Sequence, residues 1–171
     1  MKMRNTKSQK AFYDFTTALE GIEKALSVAG FTWDRLSDEE IKLTLAGRWC
    51  DYKVFFEYCD DLDVVQLTIW PEGVFVGDKD LSDIAEFLAR INQQLWIGCF
   101  CWDDEAETIT FRQTFLANEA HSIEAESLVD VLEAAKLAFD RFQPFFQLLV
   151  TGDVGVQQSL NVAYMDTIGE A

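Results

Sequence analysis

The residues able to do acid–base, nucleophilic or metal chemistry are few, and their spacing suits none of it. His121 is the only histidine. Any serine–histidine or cysteine–histidine mechanism has to use it, and it sits beside Ser122 at a predicted helix start, an ordinary surface position. No phosphate loop, nucleophile elbow, HExxH pair or dinucleotide fingerprint occurs. Asp78, Asp80 and Ser82 begin like a calcium loop. Its sixth position, however, is Asp83 where glycine is needed, and its twelfth is Ala89 where glutamate is needed. A helix cap accounts for the stretch better. Asp60, Asp61 and Asp63 fall at a predicted turn, as do Asp103 to Glu105, and solvated carboxylates are usual there. The four cysteines are Cys50, Cys59, Cys99 and Cys101, with no CxxC pair. Cys99 and Cys101 share a face if they lie on a strand. Their neighbours Phe100 and Trp102 predict a buried strand, in which cysteine behaves as a small apolar residue. No catalytic set, metal or cofactor is expected, and the chain reads as a non-enzyme.

Two arginines invite a binding role. Arg112 shares a strand face with Thr108, Thr110 and Thr114, and could grip a ligand carboxylate in a bidentate fork. An internal pair with one of the 30 acidic residues is the simpler reading. Arg141, close to Pro144, invites the same two readings with the same preference. The formal charge of −16 sets the partners. Residues 1–10 carry Lys2, Arg4, Lys7 and Lys10 and no acid, so the rest of the chain is more acidic still. Such a surface repels phosphate backbones and anionic lipid, which excludes nucleic acid and membrane as partners. No window approaches the ~20 apolar residues of a membrane span. The basic start has no apolar region behind it, so no secretory signal is expected. With four thiols, that places the chain in the cytoplasm.

The elements that must position these residues follow from periodicity. Phe12, Phe15, Leu19, Ile22, Leu26 and Ala29 make one apolar stripe, predicting a helix over Ser8–Ala29 stopped by Gly30. Phe31–Arg35 reads as a short strand. Ile41, Leu43 and Leu45 alternate with polar residues up to Gly47. Tyr52, Val54, Phe56 and Tyr58 alternate likewise, and Val65, Leu67 and Ile69 line a fourth strand ending at Pro71. A second helix over Leu81–Leu95 buries Leu81, Ile84, Leu88, Ile91 and Leu95, with Asp78 or Asp80 as cap. Trp96–Trp102, apolar on both faces, is expected to be a central strand with Trp96 in the core. Ile109, Phe111 and Phe115 mark the returning strand. A third helix from about Ser122 carries Leu128, Val131, Ala135, Phe139, Phe142, Phe146 and Leu149, and Pro144 should kink or split it. A last helix is expected from an Asp153 cap to about Ile168. Residues 1–10 read as a basic flexible segment and 11–171 as one domain. The fold class is α+β, an antiparallel sheet packed with helices.

Several stretches resemble the YbjN family. Asn92-Gln-Gln-Leu-Trp96-Ile-Gly98-Cys-Phe100 is similar to its helix-to-strand junction, and Arg141-Phe-Gln-Pro144-Phe-Phe-Gln to its Arg-Phe-x-Pro segment. Gly47-x-Trp49-x-x-Tyr52 and Arg112 fit the same pattern, as does the closing Gly169-Glu170-Ala171. The resemblance implies a type III secretion chaperone-like sandwich. It also implies a role in sensory transduction, with no catalytic residue to carry over. Trp49, Asn92, Trp96, Gly98, Phe100, Arg112, Arg141 and Pro144 are therefore the candidate motif or partner-binding positions. Core packing explains Trp96, Gly98 and Phe100 more simply than ligand reading does.

The expected function is a protein-binding regulator or chaperone-like adaptor, with a homodimer possible. The alternatives are an immunity or inhibitor protein that neutralises a basic partner, and an enzyme with an unrecognised carboxylate site.

Overall fold

Period-two alternation decides which way each strand faces, and here it gives the sheet one buried face. The computed structural model describes residues 15–74 and 81–151. The elements are α1 (Phe15–Ala29), β1 (Trp33–Ser37), β2 (Glu40–Ala46), β3 (Asp51–Cys59) and β4 (Val64–Pro71). Then come α2 (Leu81–Asn92), β5 (Cys99–Asp103), β6 (Thr108–Leu116), α3 (Ala117–His121) and α4 (Ala125–Thr151). The six strands form one sheet in the order β1-β2-β3-β4-β6-β5, antiparallel throughout. This is an α+β fold, and the meander of the first four strands follows the sequence reading.

Ile41, Leu43, Leu45, Tyr52, Val54, Phe56, Val65, Leu67 and Ile69 all point to the same face. Helix residues such as Leu19, Ile22, Leu26, Ile84, Phe87, Leu128, Phe139 and Phe146 join them in a single core. Phe100 sits at its centre. Its ring meets Phe111, Phe139, Phe142 and Phe146 edge-on, at centroid distances of 5.7, 5.0, 5.9 and 5.2 Å. Edge-to-face pairs add roughly 0.5–1.5 kcal/mol each beyond the burial of area. The α4 stripe is read correctly from Leu128 to Phe146, with Leu132 and Phe145 buried beside it. In α2, Phe87 is buried and Leu81 is exposed, the reverse of the expectation for Leu81.

Three readings are corrected. Trp96–Trp102 is not a central strand: β5 begins at Cys99 and pairs only with β6, at the sheet edge. Gly98 has a φ of +64°, a left-handed turn that an extended strand cannot contain. Trp96 is therefore 100% exposed and fills no core, and Cys99 is exposed where burial was expected. Second, Pro144 does not split the helix: it lies inside α4, which continues past it to Thr151. Third, the helix expected from about Ser122 starts at Ala125 as α4, and a short helix before it, α3, was not expected. The start of the first helix, the Asp78 and Asp80 cap, and the helix after Asp153 lie outside the described residues.

Candidate functional site

The motif positions fall into two latches and one exposed knuckle. The first latch explains Trp49 and Pro144 together. A proline at 144 has no N–H, so the helical carbonyl four residues earlier, that of Asp140, loses its partner. The Trp49 indole N–H donates to that carbonyl oxygen at 2.7 Å. The Asp140 carboxylate meanwhile accepts the Arg48 backbone N–H and the Tyr52 hydroxyl, each at 2.7 Å. Burial first, and then the hydrogen bond to Asp140, hold the Tyr52 hydroxyl well above the usual phenol range. A side chain at Gly47 would run into the Tyr52 ring. The β2–β3 hairpin is thus pinned to α4 at one residue, and Asp140 was not singled out from the sequence.

The second latch closes the β5 edge. The Asn92 side-chain amide accepts the Phe100 N–H at 2.7 Å and donates to the Phe100 carbonyl at 2.9 Å. A strand's outward pair of backbone groups is thus answered by an amide at the end of α2. Gly98 is needed twice over: its φ favours glycine, and a Cβ there would strike the Phe111 ring and the Arg112 carbonyl. The sequence reading of a close crossing over Gly98 is correct, and the crossing group is Phe111. Between the latches, Arg141 donates to the Gln94 side-chain oxygen at 3.0 Å and lies over the Phe142 ring. An amide, not an acid, is its partner. Arg112 pairs with Asp103 at 3.7 Å, the internal acid expected for it. Trp96 and Ile97 form an exposed apolar knuckle on the loop entering β5.

The other face of the sheet carries Arg112 and residues outside the core cluster, and the sequence reading passed over its β2–β4 part. Glu40 of β2 stands directly opposite Glu57 of β3, and Phe55 opposite Thr68. Like charges directly opposite are destabilising. Among the described residues neither glutamate is in an ion pair. Glu57 titrates above the usual carboxylate range, through burial first and then Glu40; Arg112 opposes the shift. Phe55 and Trp70 lie 5.6 Å apart beside them. Glu40, Phe55, Glu57, Thr68 and Trp70 line a cavity of about 110 Å³. The Trp70 indole N–H is buried and has no acceptor among the described residues. A signal was available: Phe55 and Trp70 occupy strand positions whose parity belongs to the polar face.

These residues make a cation-attracting notch, and nothing in them is arranged as a nucleophile with a base. Among the described residues no group of three or more histidine, cysteine, aspartate or glutamate side chains could hold a metal. No described helix is long and apolar enough to cross a membrane.

Comparison with known proteins fits this picture. No curated protein matches the chain. Among solved structures, a chain from "Crystal Structure of the ExsC-ExsE Complex" aligns with a TM-score of 0.54 at 16% identity. The match covers 75% of this chain and 96% of that one. At that identity the likeness speaks for the fold, a type III secretion chaperone-like α+β sandwich. The profile of the YbjN family, described as "Putative bacterial sensory transduction regulator", matches residues 18–148, which hold both latches and the notch. The chain belongs to the YbjN family.

Proposed function

We propose that this chain is a non-enzymatic, protein-binding adaptor that takes a basic segment of its partner on the outer face of its sheet. One observation carries the reading: the carboxylates Glu40 and Glu57, in no ion pair among the described residues, set against Phe55 and Trp70. An arginine or lysine side chain laid in that notch gains charge-assisted hydrogen bonds from the carboxylates and a ring face from the aromatics. It also relieves the repulsion between the glutamates. A backbone carbonyl of the same segment would answer the Trp70 N–H. The charge of −16 speeds the encounter with a basic partner. Trp96 and Ile97 offer apolar anchors at the sheet edge. The family description and a fold neighbour solved in a protein complex support the same class of function.

The cytoplasm is the proposed compartment, supported by four free thiols. Residues 11–171 are proposed to act as one domain with a basic extension before it, and pairing into a homodimer is part of the same reading. Sedimentation tests the pairing, since one species at 19.5 kDa over a broad concentration range would remove it.

The adaptor role is tested by capture from native lysate, run side by side for the wild type and the E40Q/E57Q variant. A defined partner should be held by the wild type, weaken moderately with salt and be lost with the variant. Identical capture by both proteins would sink the notch. Saturable binding of a metabolite with no protein partner would sink the adaptor reading itself.

A further inference from the structure

The outer-face side chains of β5 are Cys99, Cys101 and Asp103, opposite the face that buries Phe100. Cys99 is exposed and Cys101 half-buried; both are free thiols, with their sulfurs 3.6 Å apart. A disulfide does not suit them. Residues i and i+2 of a strand stand roughly 6.5 Å apart, whereas a disulfide needs Cβ atoms about 3.5–4.5 Å apart. A strand that keeps its register with β6 cannot close that bond.

An ion between the sulfurs needs no such approach. With metal–sulfur bonds of about 2.3 Å, two thiolates stand ~3.8 Å apart on a tetrahedral centre and ~4.6 Å apart on a linear one. The observed separation lies just below this range, and rotation of the exposed Cys99 side chain opens it into the range. We propose that Cys99 and Cys101 form a two-thiolate chelate for a thiophilic monovalent ion of the copper(I) class.

The ligand count selects the ion. With no third histidine, cysteine or carboxylate grouped with them among the described residues, zinc would be left half-coordinated. Calcium and magnesium require oxygen ligands. Copper(I) prefers soft sulfur and is satisfied by two thiolates. The surroundings suit the charge. Arg112 stands directly across from Cys99 on β6, and its guanidinium favours the Cys101 thiolate. Two thiolates and one monovalent cation leave a single negative charge for Arg112 to offset. The Arg112 Nε is buried without a partner among the described residues. Asp103, which pairs with Arg112, is the nearby opposing charge.

Chelation is a proton exchange. Both S–H bonds break, two S–metal bonds form, two protons go to solvent and no electron moves. Thiols bind metal only as thiolates, so the ion must displace both protons at neutral pH. The logarithm of the affinity should therefore climb with pH at a slope of about two.

The experiment uses the full chain under anaerobic conditions, titrated against a chromophoric copper(I) chelator. One ion should bind per chain. C99S and C101S should each weaken binding by roughly a hundredfold or more, while C50S and C59S leave it unchanged. Circular dichroism checks that each variant is folded. X-ray absorption on the wild type, which needs no variant, should show a first shell of two sulfurs. A shell containing nitrogen or oxygen, a pH slope near zero, or binding that survives C99S/C101S would overturn the site. So would zinc binding as tightly as copper(I).

Discussion

Trp49→Phe removes the donor that answers the Asp140 carbonyl in place of the absent Pro144 N–H. The carbonyl lies on α4, and the Trp49 N–H reaches it at 2.7 Å. Leaving a buried acceptor unpaired costs about 1–3 kcal/mol. Trp49 is 49% exposed, so water reaches part of the site and the lower half of that range applies. The informative experiment is the double-mutant cycle with Pro144→Ala. Alanine at 144 supplies an N–H to the same carbonyl. A helix-interior proline costs up to about 3 kcal/mol against alanine, offset by about 0.4–1 kcal/mol of lost unfolded-state restriction and by the lost contacts of the ring. P144A alone should therefore stabilise by roughly 1 kcal/mol. In its background W49F should cost about 1 kcal/mol less than in the wild type, a coupling well above the ~0.5 kcal/mol scatter of independent sites. Urea unfolding followed by circular dichroism measures all four corners without relying on tryptophan emission, and unchanged m-values would license the comparison. Each kcal/mol should also appear as about 2–4 °C in Tm. If W49F costs the same in both backgrounds, the indole is not standing in for the proline's missing donor.

Gly98→Ala should destabilise by roughly 2–4 kcal/mol in the same assay, since it strains the backbone and displaces the Phe111 ring; a cost under 1 kcal/mol would contradict the geometry. Asn92→Ala loses both bonds to Phe100, about 2–3 kcal/mol, and the Phe100 amide should then exchange with solvent through local opening. Trp96→Ala should leave stability within about 0.5 kcal/mol of wild type while weakening partner capture, and a large stability loss would mean that the indole is packed after all. Glu57 binds its proton more tightly folded than unfolded, so the folded state loses stability as pH rises through its titration. E57Q should accordingly raise the urea midpoint at neutral pH, with a gain that fades as pH falls below the ordinary carboxylate range; a gain that grows on acidification would reverse the assignment.

Strand alternation made the first four strands legible, and the i, i+3, i+4 stripe made α4 legible, because one-sided burial imposes a period. What failed was the stretch where no period exists. Trp96, Ile97 and Cys99 are apolar or small and yet exposed, and nothing in residue type separates an edge strand from a central one. Gly98 held the clue, since a glycine between large residues can mark a turn as well as a crossing. It does both. The motif positions were found, but not what they do. Trp49 and Pro144 are 95 residues apart in sequence and meet through the main chain of Asp140, which no pairing of residue types could reveal. The Glu40–Glu57 pair depends on the register of one hairpin, and a shift of one residue would send those side chains to the other face.

The amide of Asn92 bears on the behaviour of the protein in concentrated solution. Cys-Phe-Cys-Trp on a sheet margin has the composition of a sticky segment, and a bare margin invites copies to stack edge to edge into fibres. Here the Phe100 rung, the second residue of a five-residue strand, is already occupied, and the left-handed turn at Gly98 swings the chain away just before it. An incoming strand would find no uninterrupted ladder to climb. One asparagine at the end of a helix thus acts as a gatekeeper against aggregation, allowing an aromatic-rich sequence to keep Phe100 at the heart of its core without exposing a template beside it.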